Sequence, residues 1–447
     1  MKRHALAFVV LIASIVFGQP QTGGFGTGGN SGRTGPAFSQ PLAFFEFAPA
    51  SGAGMGASCA CSAVTGAKGE AVAFTRTGSA ICSRQGLATT GINNGDLVSC
   101  GANLPRVEPS GGVLGLRVES ARNNELARSE EIDNAIWTDA TVGGAAAPTL
   151  NGANSVTSPR GDLTAEDYTF PATTAAQVSG RLNPGIGSCS GVSCAQFIYV
   201  RAIGTNATID ICNDKASVVR CQPCAAVTGS WTLCPIVFTG VGFDGLFIGN
   251  GSAWNGGAAR GAARVAVWGA QRETSASYST SYIPTVASAV TRNVESATVP
   301  INFSTAAGFS LAATRADLQP VASASSVWGA WPSLHQDASN RTQLYRTFTN
   351  VLTADYFSTS GNQSVAGAPT VVFSNAPQRA AISVGVPNAS TVVSRFFEGT
   401  LLSSGTASPT SAFTATSLFL NGFTSGAATG DGIITRVCVD PNPSRCR

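Results

Sequence analysis

Three observations predict an all-β chain of two β-sandwich (jelly-roll) domains with a disulfide-containing N-terminal segment. Short runs of alternating apolar and polar residues, rich in Val, Ile, Thr, Phe and Tyr, recur along most of the 447 residues. Gly and Pro, 51 and 22 in number, set turn signals between those runs, while helical periodicity is nearly absent. Twelve cysteines fall in even-numbered clusters. A hydrophobic share of 43% is enough to fill packed cores, and a charged share of 11% is less than half of the roughly 25% usual for soluble domains.

The chain opens with Met1-Lys2-Arg3-His4, an apolar run from Ala5 to Phe17 broken only by Ser14, and then Gly18. A basic start, a short apolar middle and small residues at the exit read as a secretory signal peptide over residues 1–18. The run is too short for a hydrocarbon core of ~30 Å, so no membrane span is expected. The expected location is outside the cell, either secreted or at the cell surface. The net charge of +3 falls to +1 once Lys2 and Arg3 are removed, which leaves no electrostatic footprint for nucleic acid. Residues 19–40 are Gly-, Ser- and Thr-rich and read as a flexible leader. Gly24-Phe25-Gly26-Thr27-Gly28-Gly29 spells G-x-G-x-x-G, but follows no strand and opens no helix, so it implies no dinucleotide. No cofactor is expected.

Export gives the cysteines a meaning. The clusters are Cys59, Cys61, Cys82 and Cys100; Cys189, Cys194, Cys212, Cys221, Cys224 and Cys234; and Cys438 with Cys446. In an oxidising compartment all twelve are expected in disulfides closed within domains. Spacing leaves the pairing within the first two clusters open, whereas Cys438 has only Cys446 nearby. Cys221-Gln222-Pro223-Cys224 has the spacing of a zinc or redox motif, yet zinc needs two further ligands and no histidine lies in that region.

From Pro41 onward the strands follow in order. A small Cys-containing β segment is expected over 41–120, a jelly-roll domain over 121–295 and a second sandwich over 296–447. Gln196-Phe197-Ile198-Tyr199-Val200-Arg201 and Arg264-Val265-Ala266-Val267-Trp268 alternate, as do Ser417-Leu418-Phe419-Leu420 and Ile433-Ile434-Thr435-Arg436-Val437-Cys438-Val439. Only residues 124–137 read as a turn or two of helix, with Ser129 as N-cap before Glu130 and Glu131. No fixed-period repeat supports a β-solenoid.

Two stretches carry a family resemblance. Val72-Ala73-Phe74-Thr75-Arg76, Asn103-Leu104-Pro105-Arg106, Gly115-Leu116-Arg117-Val118-Glu119 and Arg122-Asn123 lead into Ser129-Glu130-Glu131-Ile132-Asp133-Asn134-Ala135-Ile136-Trp137. Downstream come Val267-Trp268-Gly269-Ala270-Gln271, Tyr282-Ile283-Pro284-Thr285 and Val290-Thr291-Arg292. In order and spacing, residues 70–295 resemble a module of phage tail and head-spike fibre proteins and of secreted bacterial proteins. That resemblance implies a jelly-roll of the carbohydrate-binding type. Over 296–447, Gly308-Phe309-Ser310-Leu311 and Phe396-Phe397-Glu398-Gly399 with Leu401-Leu402 are similar to concanavalin-like or laminin-G-like sandwiches, as is the closing pair Ser417-Leu418-Phe419-Leu420 and Gly432-Ile433-Ile434-Thr435-Arg436-Val437.

Catalytic side chains are scarce. His335 is the one histidine beyond His4, flanked by Ser333 and Asp337. No G-x-S-x-G elbow accompanies it, so it reads as a surface-loop residue. Glu131-Ile132-Asp133 begins the carboxylate pattern of concanavalin-like hydrolases, but Ile136 stands where the second Glu belongs. Glu166-Asp167, Asp355 and Glu398 read as solvated loop or turn carboxylates, and any catalytic pair among them would be a cross-strand arrangement. Arg160-Gly161-Asp162 spells an integrin-type tripeptide that Pro159 and Gly161 explain as a turn. Arginine outnumbers lysine 24 to 3, from which no ligand follows.

The ligand-binding residues expected are aromatic, since pyranose rings stack their C–H faces on exposed rings. Trp254 lies in the loop Gly251-Ser252-Ala253-Trp254-Asn255-Gly256-Gly257, and Trp328 and Trp331 are spaced for display from one turn. Tyr356 is a further candidate, whereas Trp137 and Trp268 read as core. The expected function is non-catalytic binding, to a polysaccharide or surface glycan or as a fibre-like surface module. The alternatives are a polysaccharide hydrolase or lyase and a homo-oligomer that assembles through its sandwiches.

Overall fold

The structure is a computed structural model that describes residues 43–46, 60–61, 71–110, 113–184, 189, 191–214, 220–239, 245–276, 278–317, 329–347, 351–365, 376–388, 390–406, 410–420, 431–442 and 446. The signal peptide, the 19–40 leader, Cys59, the Cys61 side chain and Trp328 lie outside the described residues. Those residues form thirty strands and no helix, so the all-β expectation holds. None forms a helix long and apolar enough to cross a membrane.

The central sandwich is built from two five-stranded antiparallel sheets. One runs Thr149–Val156, Ala165–Phe170, Ala263–Thr274, Ser193–Ala202, Thr232–Thr239. The other runs Arg220–Ala226, Ala207–Asp214, Gly245–Asn250, Val178–Asn183, Thr138–Val142. Period-two alternation decides which face turns inward. In Thr232–Thr239 the residues Thr232, Cys234, Ile236 and Phe238 are buried while Pro235, Val237 and Thr239 are exposed. Ile198, Val200, Ile209, Ile211, Leu246, Ile248, Val265 and Val267 meet between the sheets, with Trp137 among them.

The second sandwich draws on both ends of the chain. Its larger sheet orders Ala60–Cys61, Arg106–Ser110, Val113–Val118, Gly432–Asp440, Phe309–Asp317, Gln378–Val384, Val392–Phe397 and Thr400–Thr406, with Ala43–Glu46 also paired to Gly432–Asp440. Its seven-stranded partner places Ala73–Thr75 beside Ser296–Ser304. The segment expected to stand alone over 41–120 therefore supplies strands to the sandwich expected from 296–447 alone. The hairpin Ala80–Ser83 with Leu97–Cys100 packs instead on the central sandwich, where Ile81, Ile92 and Leu97 join Phe197, Tyr199, Trp231, Trp268 and Tyr282.

The helix expected over 124–137 does not form. Asn124 ends a strand, and the chain then steps through turns in which Glu131 N donates to Arg128 O, Asn134 N to Glu131 O and Trp137 N to Asn134 O. Ser129 caps nothing, because its Oγ lies 2.7 Å from the Tyr282 hydroxyl and accepts from Thr285 N. Arg128 sits at φ 56°, left-handed backbone that a helix does not accommodate.

Cysteine pairing fills in what spacing left open. Cys189–Cys194, Cys212–Cys221 and Cys224–Cys234 brace the central sandwich, and Cys438–Cys446 closes as expected. Cys82 and Cys100 are also disulfide-bonded. Cys221 and Cys224 belong to different bridges, so their C-x-x-C spacing holds neither zinc nor a redox pair.

Candidate functional site

The second central sheet turns one face to the core and leaves the other partly open. On the open face Phe247, Cys212 and Val178 form a buried base, with Ala140, Leu182, Cys221 and Trp254 half-buried above it. The base depends on a missing side chain: a Cβ on Gly180 would stand 2.4 Å from the Phe247 ring and 2.3 Å from Ile248 O. The Trp254 ring meets Phe247 at 4.8 Å between centroids and 69° between planes, an edge-to-face contact.

The loop that carries Trp254 is held by one carboxylate. Asp210 is fully buried and accepts from Gly251 N at 3.0 Å, Asn255 Nδ2 at 2.8 Å and the Arg260 guanidinium at 2.8 and 3.1 Å. Backbone turns from Trp254 N and Asn255 N to Gly251 O close the loop. A half-buried indole on a clamped loop above an apolar sheet face keeps part of its ring free to stack against a flat C–H surface without first being ordered. Sequence reasoning found Trp254 but not Asp210, Arg260 or Phe247. The available signal was Asp210 itself, a lone acid between Ile209 and Ile211.

The other aromatic candidates are corrected by their burial. Trp331 is 1% exposed and Tyr356 0%, both inside the core of the terminal sandwich. Strand alternation turns Trp331 inward from Gly329–His335, and the Tyr356 hydroxyl donates to Ser411 O at 2.9 Å. Neither offers a ring face. Trp137 and Trp268 are buried as expected.

His335 is not a surface-loop residue. It ends a strand at 2% exposure, places Nε2 2.9 Å from Ser333 Oγ and packs edge-on against Phe419. Burial, reinforced by Arg341, lowers its pKa to about 4, so the ring is neutral at physiological pH. Ser333 is fully buried and Asp337 accepts from Ser339 and Asn340, so no triad assembles. Arg160-Gly161-Asp162 is likewise engaged with its own surroundings: Arg160 pairs with Glu130 and Asp162, and Asp162 accepts from Ser158 and Thr164.

Of Glu166, Asp167, Asp355 and Glu398, only Glu398 is exposed, in a two-residue hairpin turn with Gly399 where it accepts from Arg379 N. Asp355 is 3% exposed and bonded by Gln343 Nε2. Asp167 is 6% exposed and pairs with Arg264. Glu166 is fully buried inside the central sandwich, facing the same way as Tyr168 and Phe170. Burial pushes its carboxyl up to about 9, and the neighbouring Asp133 carboxyl adds to the shift. The expected solvated carboxylates are thus mostly covered groups: alternation turns Glu166 into the core, whereas Asp167 and Asp355 face the other way and are covered by their partners Arg264 and Gln343.

The resemblance motifs converge on a buried ionic cluster. Arg106 Nη2 reaches Glu295 at 2.6 Å and Glu119 at 2.7 Å, and Arg76 meets Glu295 at 2.9 Å. Arg117 bridges Glu108 and Glu119, Arg292 adds to Glu119, and Arg122 pairs with Asp431 and Glu273. Burial works against the Glu119 charge, but Arg117, Arg292 and Arg106 outweigh it and hold the carboxyl well below its ordinary value. The planar guanidinium suits such paired contacts, which accounts for part of the arginine excess. These motif residues are scaffold, placed where the two sandwiches and the N-terminal hairpin come together.

Fold and site together define a disulfide-braced β-sandwich protein with a half-buried tryptophan on an outer sheet face. No family model and no curated protein matches the chain. Among solved structures it is similar to the IT-sialidase CBM40 module of Ruminococcus gnavus bound to α2,3-sialyllactose, at 12% identity over 31% of this chain and 77% of that one, with a TM-score of 0.25. The endo-1,3-β-glucanase of Streptomyces sioyaensis matches at 13% identity over 33% of this chain and 70% of its own, TM-score 0.24. Mouse laminin α1 domains LG4-5 match at 9% identity over 56% and 82%, TM-score 0.23. None of these three is a phage fibre protein.

Proposed function

We propose that this chain is an exported, non-catalytic protein that binds glycan through the open face of its central sandwich, with Trp254 as the stacking residue. The observation that carries the reading is the Asp210-clamped loop, which fixes a half-buried indole edge-on to Phe247. Disulfide bonding of Cys82, Cys100 and the eight cysteines of the four bridges named above fits an oxidising compartment. Ser333 and His335 are both sealed in the interior, away from any substrate.

The test is a glycan array followed by calorimetric titration of the best glycan against the chain and its Trp254→Ala variant. Binding is expected to weaken about tenfold or more, equivalent to about 1.4 kcal/mol, with the melting temperature unchanged. Unaltered affinity in the variant overturns the assignment of the face. Release of new reducing ends from a polysaccharide, abolished by Glu166→Gln in a folded protein, overturns the non-catalytic reading in favour of a hydrolase.

A further inference from the structure

A cavity of about 330 Å³ lies away from the Trp254 face, between the N-terminal hairpin and the outer face of the first central sheet. Ile81 and Leu97 form one wall, Leu233 and Tyr199 the opposite one, and residues 278–282 close the end. Its walls are tied by backbone rather than left to collapse. Leu233 N donates to Thr89 O at 2.6 Å, Ile92 and Trp231 exchange bonds, and Arg84 N donates to Asp96 O at 2.8 Å. At the cavity lining, Gly86 (φ 61°) passes so close to Pro109 that a Cβ would stand 1.9 Å from its carbonyl oxygen. The shape is built in before any ligand arrives.

Two residues of the cavity lining hold unpaired donors buried in the wall. Arg117 lines the cavity at 5% exposure, with Nη1 on Glu108 at 2.7 Å and Nη2 on Glu119 at 2.8 Å. Its Nε is buried without a partner, and so is Oγ of Ser279, another lining residue. A buried donor left unmade costs about 1–3 kcal/mol, so an acceptor brought to it is rewarded. The guanidinium charge is already answered by two carboxylates. An anionic head would meet Glu108 and Glu119 along with Arg117, whereas a neutral oxygen needs only the spare N–H and hydroxyl.

We propose that this cavity binds a small neutral amphipathic molecule, an apolar ring or chain of roughly a dozen heavy atoms ending in a carbonyl, ether or alcohol oxygen. The size follows from volume: an apolar cavity of about 150 Å³ takes benzene, and this one is about twice as large. Pockets of about 300–1,000 Å³ with apolar walls and few polar groups are the usual form of such sites. The site is independent of the glycan face and stands or falls separately from it.

Three isosteric probes test the proposal by calorimetry and ligand-observed NMR on the full chain: 2-acetylnaphthalene, 2-isopropenylnaphthalene and 2-naphthoate. The ketone is expected to bind one to one, with the hydrocarbon and the carboxylate each about tenfold weaker. Val237→Trp blocks the mouth from a residue that is 46% exposed and outside the ionic cluster, and should abolish ketone binding in a folded chain. Ser279→Ala should weaken the ketone several-fold and leave the hydrocarbon unchanged. No binding of any probe at its solubility limit overturns the site. Ketone binding unaffected by Val237→Trp overturns its location, and tighter binding of the naphthoate overturns the neutral head.

Discussion

The central and terminal sandwiches solve one packing problem from opposite ends of the sequence scale. The central one uses strands from a single stretch, Thr138–Val142 to Ala263–Thr274, and carries three bridges that each close ten residues or fewer. The terminal one pairs Ala73–Thr75 with Ser296–Ser304 and Val113–Val118 with Gly432–Asp440. Its seam is crossed by buried ion pairs such as Arg76 with Glu295, 219 positions apart. Short closures leave little entropy for folding to overcome, and long ones must be repaid by contacts that form last. The comparison teaches that covalent bracing sits where the chain is local, and charge pairing where it is not.

The sharpest way to break the comparison is at that seam. Arg106→Ala removes the guanidinium that bridges Glu119 and Glu295, leaving Arg117 and Arg292 on the first and Arg76 on the second, and taking one partner out of a buried pair costs about 3–5 kcal/mol. Differential scanning calorimetry and urea unfolding should then resolve two transitions, the terminal sandwich melting first and the bridged central one persisting. A single transition at the original midpoint would mean that the cluster does not couple the two.

The next effect separates the sandwiches by pH. Glu166 has its pKa raised from 4.5 to about 9 by burial, then by Asp133. Its contribution to stability is fully present below pH 4.5 and is lost as pH rises toward 9, because the folded chain must keep a proton that the unfolded chain releases. Glu166→Gln should therefore raise central-sandwich stability by about 3 kcal/mol at pH 7, flatten its alkaline decline and change little at pH 4. Urea midpoints across pH 4–9 check it. His335, lowered from 6.5 to about 4, gives the terminal sandwich the opposite slope: stability is lost as pH falls below 6.5.

How far the sequence could be read follows the same local-versus-distant divide. Alternation and turn signals are local, so the all-β class, the burial of Trp137 and Trp268, the Glu398-Gly399 turn and the Cys438–Cys446 bridge were all legible. Trp254 was legible as a loop residue because glycines surround it. The N-terminal strands in the terminal sandwich were not, since nothing near residue 74 points to Ala297, its partner across the sheet. Trp331, Tyr356 and His335 were misread because alternation tells which residues share a face and not which face is inside. Asp210 with Arg260 joins residues 50 apart, and Asp133 with Glu166 also lies beyond any local pattern.

The smallest effect tests whether the bracing also serves the binding face. Cys212–Cys221 closes a nine-residue separation, and both cysteines lie in the layer that carries Trp254. Replacing the pair by serine should cost about 2–3 kcal/mol, the loop-closure entropy of a bridge that short, and lower the melting temperature accordingly. If the bridge merely shortens the unfolded chain, glycan affinity measured well below the melting point stays the same. If it also holds the sheet surface on which Trp254 and Phe247 meet, affinity falls several-fold while the Cys438→Ser/Cys446→Ser pair leaves it untouched. The second result is expected, because Cys212 and Phe247 are directly opposed in neighbouring strands, so loosening one bends the floor under the indole.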